Sequence, residues 1–228
     1  MMQETSVLCL VNYPSSSIPW GFSRLVIGKY PFKNIPGIKF VKVLGCGKHG
    51  GFDLNPSFNK QGLLCVFDSM ERAQDFLNTS NIIENYKKHS SEFFSVLLQA
   101  YSSKGSWSKN TLQITQEAPL TGPIAGITRA SIKFSKAPEF WSKAPPAQES
   151  LERDPGCLLA AGIGEAPYLR QATFTMWEST AAMDQYARSG AHLQAIQTAY
   201  KGEFFTESMF TRFVPINPNG IWRGKQYG

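Results

Sequence analysis

The chain has 228 residues, of which 42% are hydrophobic, 13% aromatic and 18% charged. That balance excludes a disordered protein, and the length allows one large or two small domains that need no disulfide or metal staple to fold. The 23 basic and 17 acidic residues leave a formal charge of +6, but the longest basic run is Lys87-Lys88, whereas nucleic-acid binding wants a clustered stripe, so no nucleic-acid partner is expected.

In chain order, Val7–Val11 reads as a strand and Ile18-Pro19-Trp20 opens an irregular helical segment. Pro36-Gly37 is a turn, and Phe40–Leu44 is a strand that ends in Gly45-Cys46-Gly47. Leu63–Phe67 is the next strand, a helix follows over about 70–90, and a last strand over about 94–101. Ser102–Gly122 is marked by Ser, Gly and Pro and reads as a linker. The order then repeats. Gly126–Phe134 is a strand, Glu139-Phe140-Trp141 opens a helix, Pro155-Gly156 is a turn, and Leu158–Ala161 leads into Gly162-Ile163-Gly164. Ala172–Trp177 is a strand whose alternation puts Ala172, Phe174 and Met176 on one face and Thr173, Thr175 and Trp177 on the other. A helix over about 180–201 and a strand over about 205–214 complete the second set, and residues 216–228 read as a loop-like tail. Ser69 and Ser179 are placed as helix N-caps.

Local matches support a duplication. Phe67-Asp68-Ser69 aligns with Trp177-Glu178-Ser179 at an offset of 110, as does Phe76 with Tyr186, and Glu92–Ser95 aligns with Glu203–Thr206 at 111. The pattern is βαββαβ twice, an α+β fold of two ferredoxin-like units. Each unit has one open sheet face, and two units hide both by closing an α+β barrel. The expected boundaries are 1–101 for the first unit, 102–121 for the linker, 122–215 for the second unit and 216–228 for the tail.

Cys9, Cys46, Cys65 and Cys157 lie far apart, without a C-x-x-C pair, and read as free buried thiols. The apolar run Val7–Val11 is too short for a signal peptide and lacks a basic flank. No run reaches the roughly 18–20 apolar residues of a membrane span. A cytoplasmic protein is expected, with peripheral membrane contact and oligomerisation left open.

Gly45–Gly50 matches G-x-G-x-x-G after a strand. Dinucleotide binding needs a helix N-terminus beneath the pyrophosphate, and Gly51–Pro56 cannot start one, so the motif reads as a glycine-rich turn. No Walker loop, G-x-S-x-G or H-E-x-x-H is present, and carboxylates such as Glu165 and Glu178 read as solvated by default. Of the three histidines, His49 falls in the glycine-rich loop and His89 at a basic helix end. His192 shares a helical arc with Ile196 and Ala199 behind a bend at Gly190, and at offset 110 its partner is Ile82. An inward imidazole is either a satisfied core residue or a ligand at a cavity wall.

Gly162-Ile163-Gly164-Glu165-Ala166-Pro167, Gln171–Trp177, Ala181-Ala182-Met183 and Gly190–Ile196 resemble the spheroidene monooxygenase family, carotenoid-oxidising ketolases of bacterial pigment pathways. The resemblance is strong over about 120–214 and weaker but collinear over 5–101. It implies a duplicated ferredoxin-like fold, haem b, and O₂-dependent oxidation of a small apolar organic substrate, with electrons from an external ferredoxin or reductase. It also implies kinship with dimeric α+β-barrel haem proteins such as chlorite dismutases and aldoxime dehydratases. Carried over, His192 becomes the iron ligand, with Gly190 and Ile196 beside it. By position, either Phe174 and Met176 or Thr175 and Trp177 face the cavity; Phe174 and Met176 are taken as candidate cofactor contacts, and Arg170 and Arg129 as candidate propionate partners. A haem enzyme of other chemistry, such as aldoxime dehydration, and a non-enzymatic haem or small-ligand carrier are the alternatives.

Overall fold

The computed structural model describes residues 3–51, 53, 55–188 and 202–228, and for 143–148 only the backbone. In the first half, β1 (Thr5–Asn12) leads to α1 (Ile18–Ile27), β2 (Ile38–Gly47) and β3 (Pro56–Phe67). Helices α2 (Met70–Thr79) and α3 (Asn81–His89) and strand β4 (Glu92–Gly105) follow. The second half runs β5 (Ile124–Ile132), α4 (Ala137–Arg153), β6 (Cys157–Ala166), β7 (Arg170–Trp177), α5 (Thr180–Ala187) and β8 (Phe205–Trp222), with a short β9 (Lys225–Tyr227) at the end. All pairings are antiparallel, in the order β4-β1-β3-β2-β6-β7-β5-β8-β9, and a β4–β8 pairing closes β1–β8 into a barrel. The fold is thus the duplicated ferredoxin-like α+β barrel expected.

Local chemistry accounts for the elements. Ser69 Oγ accepts from Arg72 N–H (3.3 Å) and Ser179 Oγ from Ala182 N–H (3.1 Å), so both expected N-caps form. The helix expected over 70–90 is two helices. Ser80 is in extended backbone (ψ 127°), closes α2 and caps α3 by accepting from Ile82 N–H. The glycine-rich segment ends in a 3-10 turn over Lys48–Gly50 and β3 is the next element, so among the described residues no α-helix N-terminus stands behind it. The cysteines are free, and burial pushes the Cys9, Cys46 and Cys157 thiols up to about 12.

The loop-like tail is the clearest departure. Strand β8 continues through Trp222 and pairs with β4 as far as Phe94↔Gly220. Arg223 (φ 53°) and Gly224 (φ 76°) then make a two-residue turn into β9. The Glu92 carboxylate accepts from both turn N–H groups, at 3.1 and 2.9 Å.

The barrel interior is filled with side chains. Leu8, Leu44, Phe94, Phe174, Met176 and Phe213 belong to one buried cluster, with Trp107 beside the β4 C-terminus and Trp222 beside its N-terminus. Buried side chains of this kind are packed close to the density of an organic crystal. Outside the barrel, Phe76, Ile83 and Tyr86 of α2 and α3 cover Val7, Cys9, Leu63 and Cys65 in the first half. In the second half, Met183 and Tyr186 of α5 pack on Ile124 and Trp177.

Candidate functional site

Side chains fill the interior among the described residues, and the two halves differ on their outer sheet faces, beneath the helices. Strand register makes the two outer faces comparable residue by residue, because Cys9↔Leu63 in the first half occupies the place of Thr128↔Thr173 in the second. The first-half face presents Val7, Val11, Val41, Val43 and Leu63 to its helices. The corresponding second-half positions hold Gly126, Ala130, Ala160, Gly162 and Thr173. Each replacement is smaller, and the remaining pair, Cys9 and Cys65, is matched by Thr128 and Thr175. The space that results is visible in exposure. Cys9 is fully buried, whereas Thr128, in the middle of β5, is exposed.

One end of this floor is closed by α5. Gly126 has no side chain because a Cβ there would stand 2.7 Å from Met183 Cε. Trp177 Nε1–H donates to Thr175 Oγ1 (2.9 Å), and Arg212 on β8 pairs with Asp184 on α5. At the other end Phe205 opens β8 opposite Ile132. The described chain therefore leaves the floor at the Trp177 end and resumes at the Phe205 end. Beside the second end lies an apolar groove of about 610 Å³, lined by Phe134, Ala137, Pro138, Trp141, Tyr168 and Leu169. Trp141 Nε1–H donates to the Tyr168 carbonyl (2.9 Å) and fixes that wall.

The positions singled out from the sequence separate. His192, Gly190 and Ile196 lie outside the described residues. Phe174 and Met176 point into the barrel, away from α5, because they share parity with Ala172; the helix-facing set of β7 is Thr173, Thr175 and Trp177. Their assignment to a cofactor lying between sheet and helix is therefore corrected. Arg129 is no propionate partner either. It is 3% exposed and points inward, where it pairs with Glu207 and, at 3.4 Å, with Glu165. Arg170 is exposed at the start of β7.

Arg129 belongs to a network at the barrel end that sequence reasoning missed. Glu165, expected to be solvated, accepts from Lys42 Nζ and from Trp107 Nε1–H (2.9 Å). Trp107 itself comes from the stretch read as a linker, and the Arg129 guanidinium lies 5.7 Å from its ring centre. Burial raises the Glu165 carboxyl, but the Lys42 and Trp107 hydrogen bonds and the Lys42 and Arg129 charges outweigh it, and the result is below the ordinary value. Burial likewise raises Glu207. The N–H groups of Lys109 and Ser108, the Ser106 hydroxyl and Arg129 overcome that and hold it at about 2. A carboxyl depressed on folding stabilises fully above its unfolded value of roughly 4.3 and ceases to as pH falls through its folded value. The melting temperature of the wild type is therefore expected to fall between about pH 5 and pH 2 more steeply than that of Glu207→Gln. Equal slopes in a thermal-melt series would remove Glu207 from the network.

A closed α+β barrel of two ferredoxin-like halves is the architecture of this chain, and among the described residues the second half has the more open outer face. Among solved structures, an aldoxime dehydratase in complex with butyraldoxime superposes with a TM-score of 0.60 at 11% identity, covering 94% of this chain and 80% of that one. A second aldoxime dehydratase gives 0.59 at 10%, covering 94% and 82%. No protein-family model matches the sequence. The chain is 46% identical over 225 residues to spheroidene monooxygenase of Rubrivivax gelatinosus, covering 99% of this chain and 87% of that protein. It is 32% identical over 216 residues to spheroidene monooxygenase of Rhodobacter capsulatus, covering 92% and 89%. The chain belongs to the spheroidene monooxygenase family, a family of oxidoreductases.

Proposed function

We propose that the chain is a haem-dependent monooxygenase that oxidises a carotenoid. The observation that supports the reading is the second-half floor, where Ala130, Gly162 and Thr173 replace larger side chains beyond the end covered by α5, and where Thr128 is exposed. A flat macrocycle needs a surface of this kind, without long side chains standing on it. Haem, when bound, supplies O₂-dependent oxidation, with electrons from an external ferredoxin or reductase. His192 is the ligand we assign, since it falls in the Gly190–Ile196 stretch that resembles the spheroidene monooxygenase family. Trp177 and Met183 exclude water from one end. The apolar groove at Phe134, Trp141 and Tyr168 suits a polyene, which offers no polar group to hydrogen-bond.

Purified protein supplied with hemin is expected to show a Soret band at about one haem per chain, strongly weakened by His192→Ala. With a reductant and spheroidene, oxidised product is expected under O₂ and none under argon. An unchanged spectrum in the variant would sink the ligand assignment. Turnover under argon would sink the monooxygenase reading and favour O₂-independent chemistry such as dehydration.

A further inference from the structure

The first half carries a surface that the proposed reaction does not use. Helix α1 is inverted relative to an ordinary surface helix. Its buried residue is Gly21, drawn so close that a Cβ would stand 2.5 Å from the Tyr13 ring, while its outward side is apolar. Phe22 is 59% exposed and Val26, one turn later, 73%, with Leu25 and Ile27 beside them; Tyr30, 67% exposed, continues the ridge into the next 3-10 turn. Contiguous exposed apolar side chains of this size mark a contact with something else.

Charge indicates what that is. Between Thr5 and Gly51 there is no Asp or Glu, while Arg24, Lys29, Lys33, Lys39, Lys42 and Lys48 are all basic. The rest of the chain holds 17 basic and 17 acidic residues, so this stretch carries the whole net charge of +6. Lys39 and Lys42 are paired with Glu4 and Glu165. Lys29 and Lys33 are exposed and flank the apolar ridge, and the Lys33 ammonium lies 4.6 Å from the Tyr30 ring centre. The groove behind the ridge, between α1 and α3, is lined by Trp20, Arg24, Asn81, Ile82, Asn85 and Tyr86, again without an acid.

We infer that α1 and the Tyr30 turn form a docking face for an anionic lipid bilayer. Phe22, Val26 and Tyr30 enter the interfacial region, and Lys29 and Lys33 meet the headgroups, while Arg24 stays behind the ridge over the Trp20 ring. A second copy of the chain fits less well. A two-fold contact through this ridge would oppose the same basic residues, with no carboxylate in the segment to pair with them. The docking face is independent of the haem reading, and goes beyond it by giving the protein access to a phase in which apolar compounds dissolve.

The test is co-sedimentation of the full chain, without haem or substrate, with vesicles of phosphatidylcholine alone or mixed with phosphatidylglycerol. Binding is expected to the mixed vesicles only, and to weaken as salt is raised. Phe22→Asp with Val26→Asp, and separately Lys29→Glu with Lys33→Glu, are each expected to weaken it at least about tenfold while the melting temperature stays unchanged, since all four side chains are exposed. Undiminished vesicle binding by either variant overturns the proposal. So does a wild-type dimer that ignores vesicles and becomes monomeric in Phe22→Asp/Val26→Asp, which would assign the ridge to self-association. Because no haem is involved, failure here leaves the spectroscopic test of His192 untouched, and the reverse holds too.

Discussion

Thr128→Phe is expected to leave the barrel folded and to lower haem affinity by at least about tenfold, or roughly 1.4 kcal/mol. Thr128 sits in the middle of β5 yet is exposed, so among the described residues a phenyl ring there extends over the floor rather than into a packed core. The matched change in the first half, Cys9→Phe, has the opposite character. Cys9 is fully buried against the α2 and α3 layer, and overpacking there costs about 1–3 kcal/mol of stability. Hemin titration with thermal melting separates the two effects. Wild-type haem affinity in a well-folded Thr128→Phe variant would place the cofactor elsewhere.

Trp107→Ala is expected to be the most destabilising single change in the stretch between β4 and β5. The indole is 2% exposed, donates to Glu165, stacks near Arg129 and packs 6.0 Å from the Phe40 ring. Truncating a buried tryptophan costs about 3–5 kcal/mol, and for a chain of this length that lowers the melting temperature by about 10 °C. Trp107→Phe restores the packing but leaves Glu165 short of one donor, so it is expected to recover most of the loss and not all of it. A Trp107→Ala melting point within about 2 °C of wild type would mean that the residue is not a stopper of the barrel.

The strands were legible because alternation and apolar runs specify them locally, and the duplication because both halves carry the same order of signals. The break at Ser80 was not, because Ala73, Phe76, Ile83 and Tyr86 all face the same core and the apolar pattern runs across the gap. The tail was misread because Asn217, Pro218 and Gly220 look like turn residues. In the barrel Asn217 and Pro218 fall in a register shift between the Ser95↔Asn219 and Leu97↔Ile216 pairs, with Asn217 (φ 49°) and Gly220 (φ 107°) taking the left-handed backbone.

Alternation on β7 defined two sets of side chains but not which one faces the helices; only the pairing of the halves settles that. Arg129 looked available because its partners, Glu165 and Glu207, lie 36 and 78 residues away. The floor leaves a trace in the sequence, small residues against large ones, but it becomes readable only after the register aligns β5, β6 and β7 with β1, β2 and β3.

The β4–β8 seam has a consequence for how the protein is made. It joins residues 94–105 to residues 209–220, so the barrel closes across about half the length of the chain. During synthesis the first half can emerge with its helices, yet the free edge of β4 has no partner until β8 leaves the ribosome. Such an edge invites pairing with another nascent chain. Long-range closure of this kind is also slow, because the loop entropy is spent before the contacts form. A message truncated before Phe205 therefore yields a chain with an open β4 edge and an incomplete barrel, prone to aggregation whatever the quality of its first half.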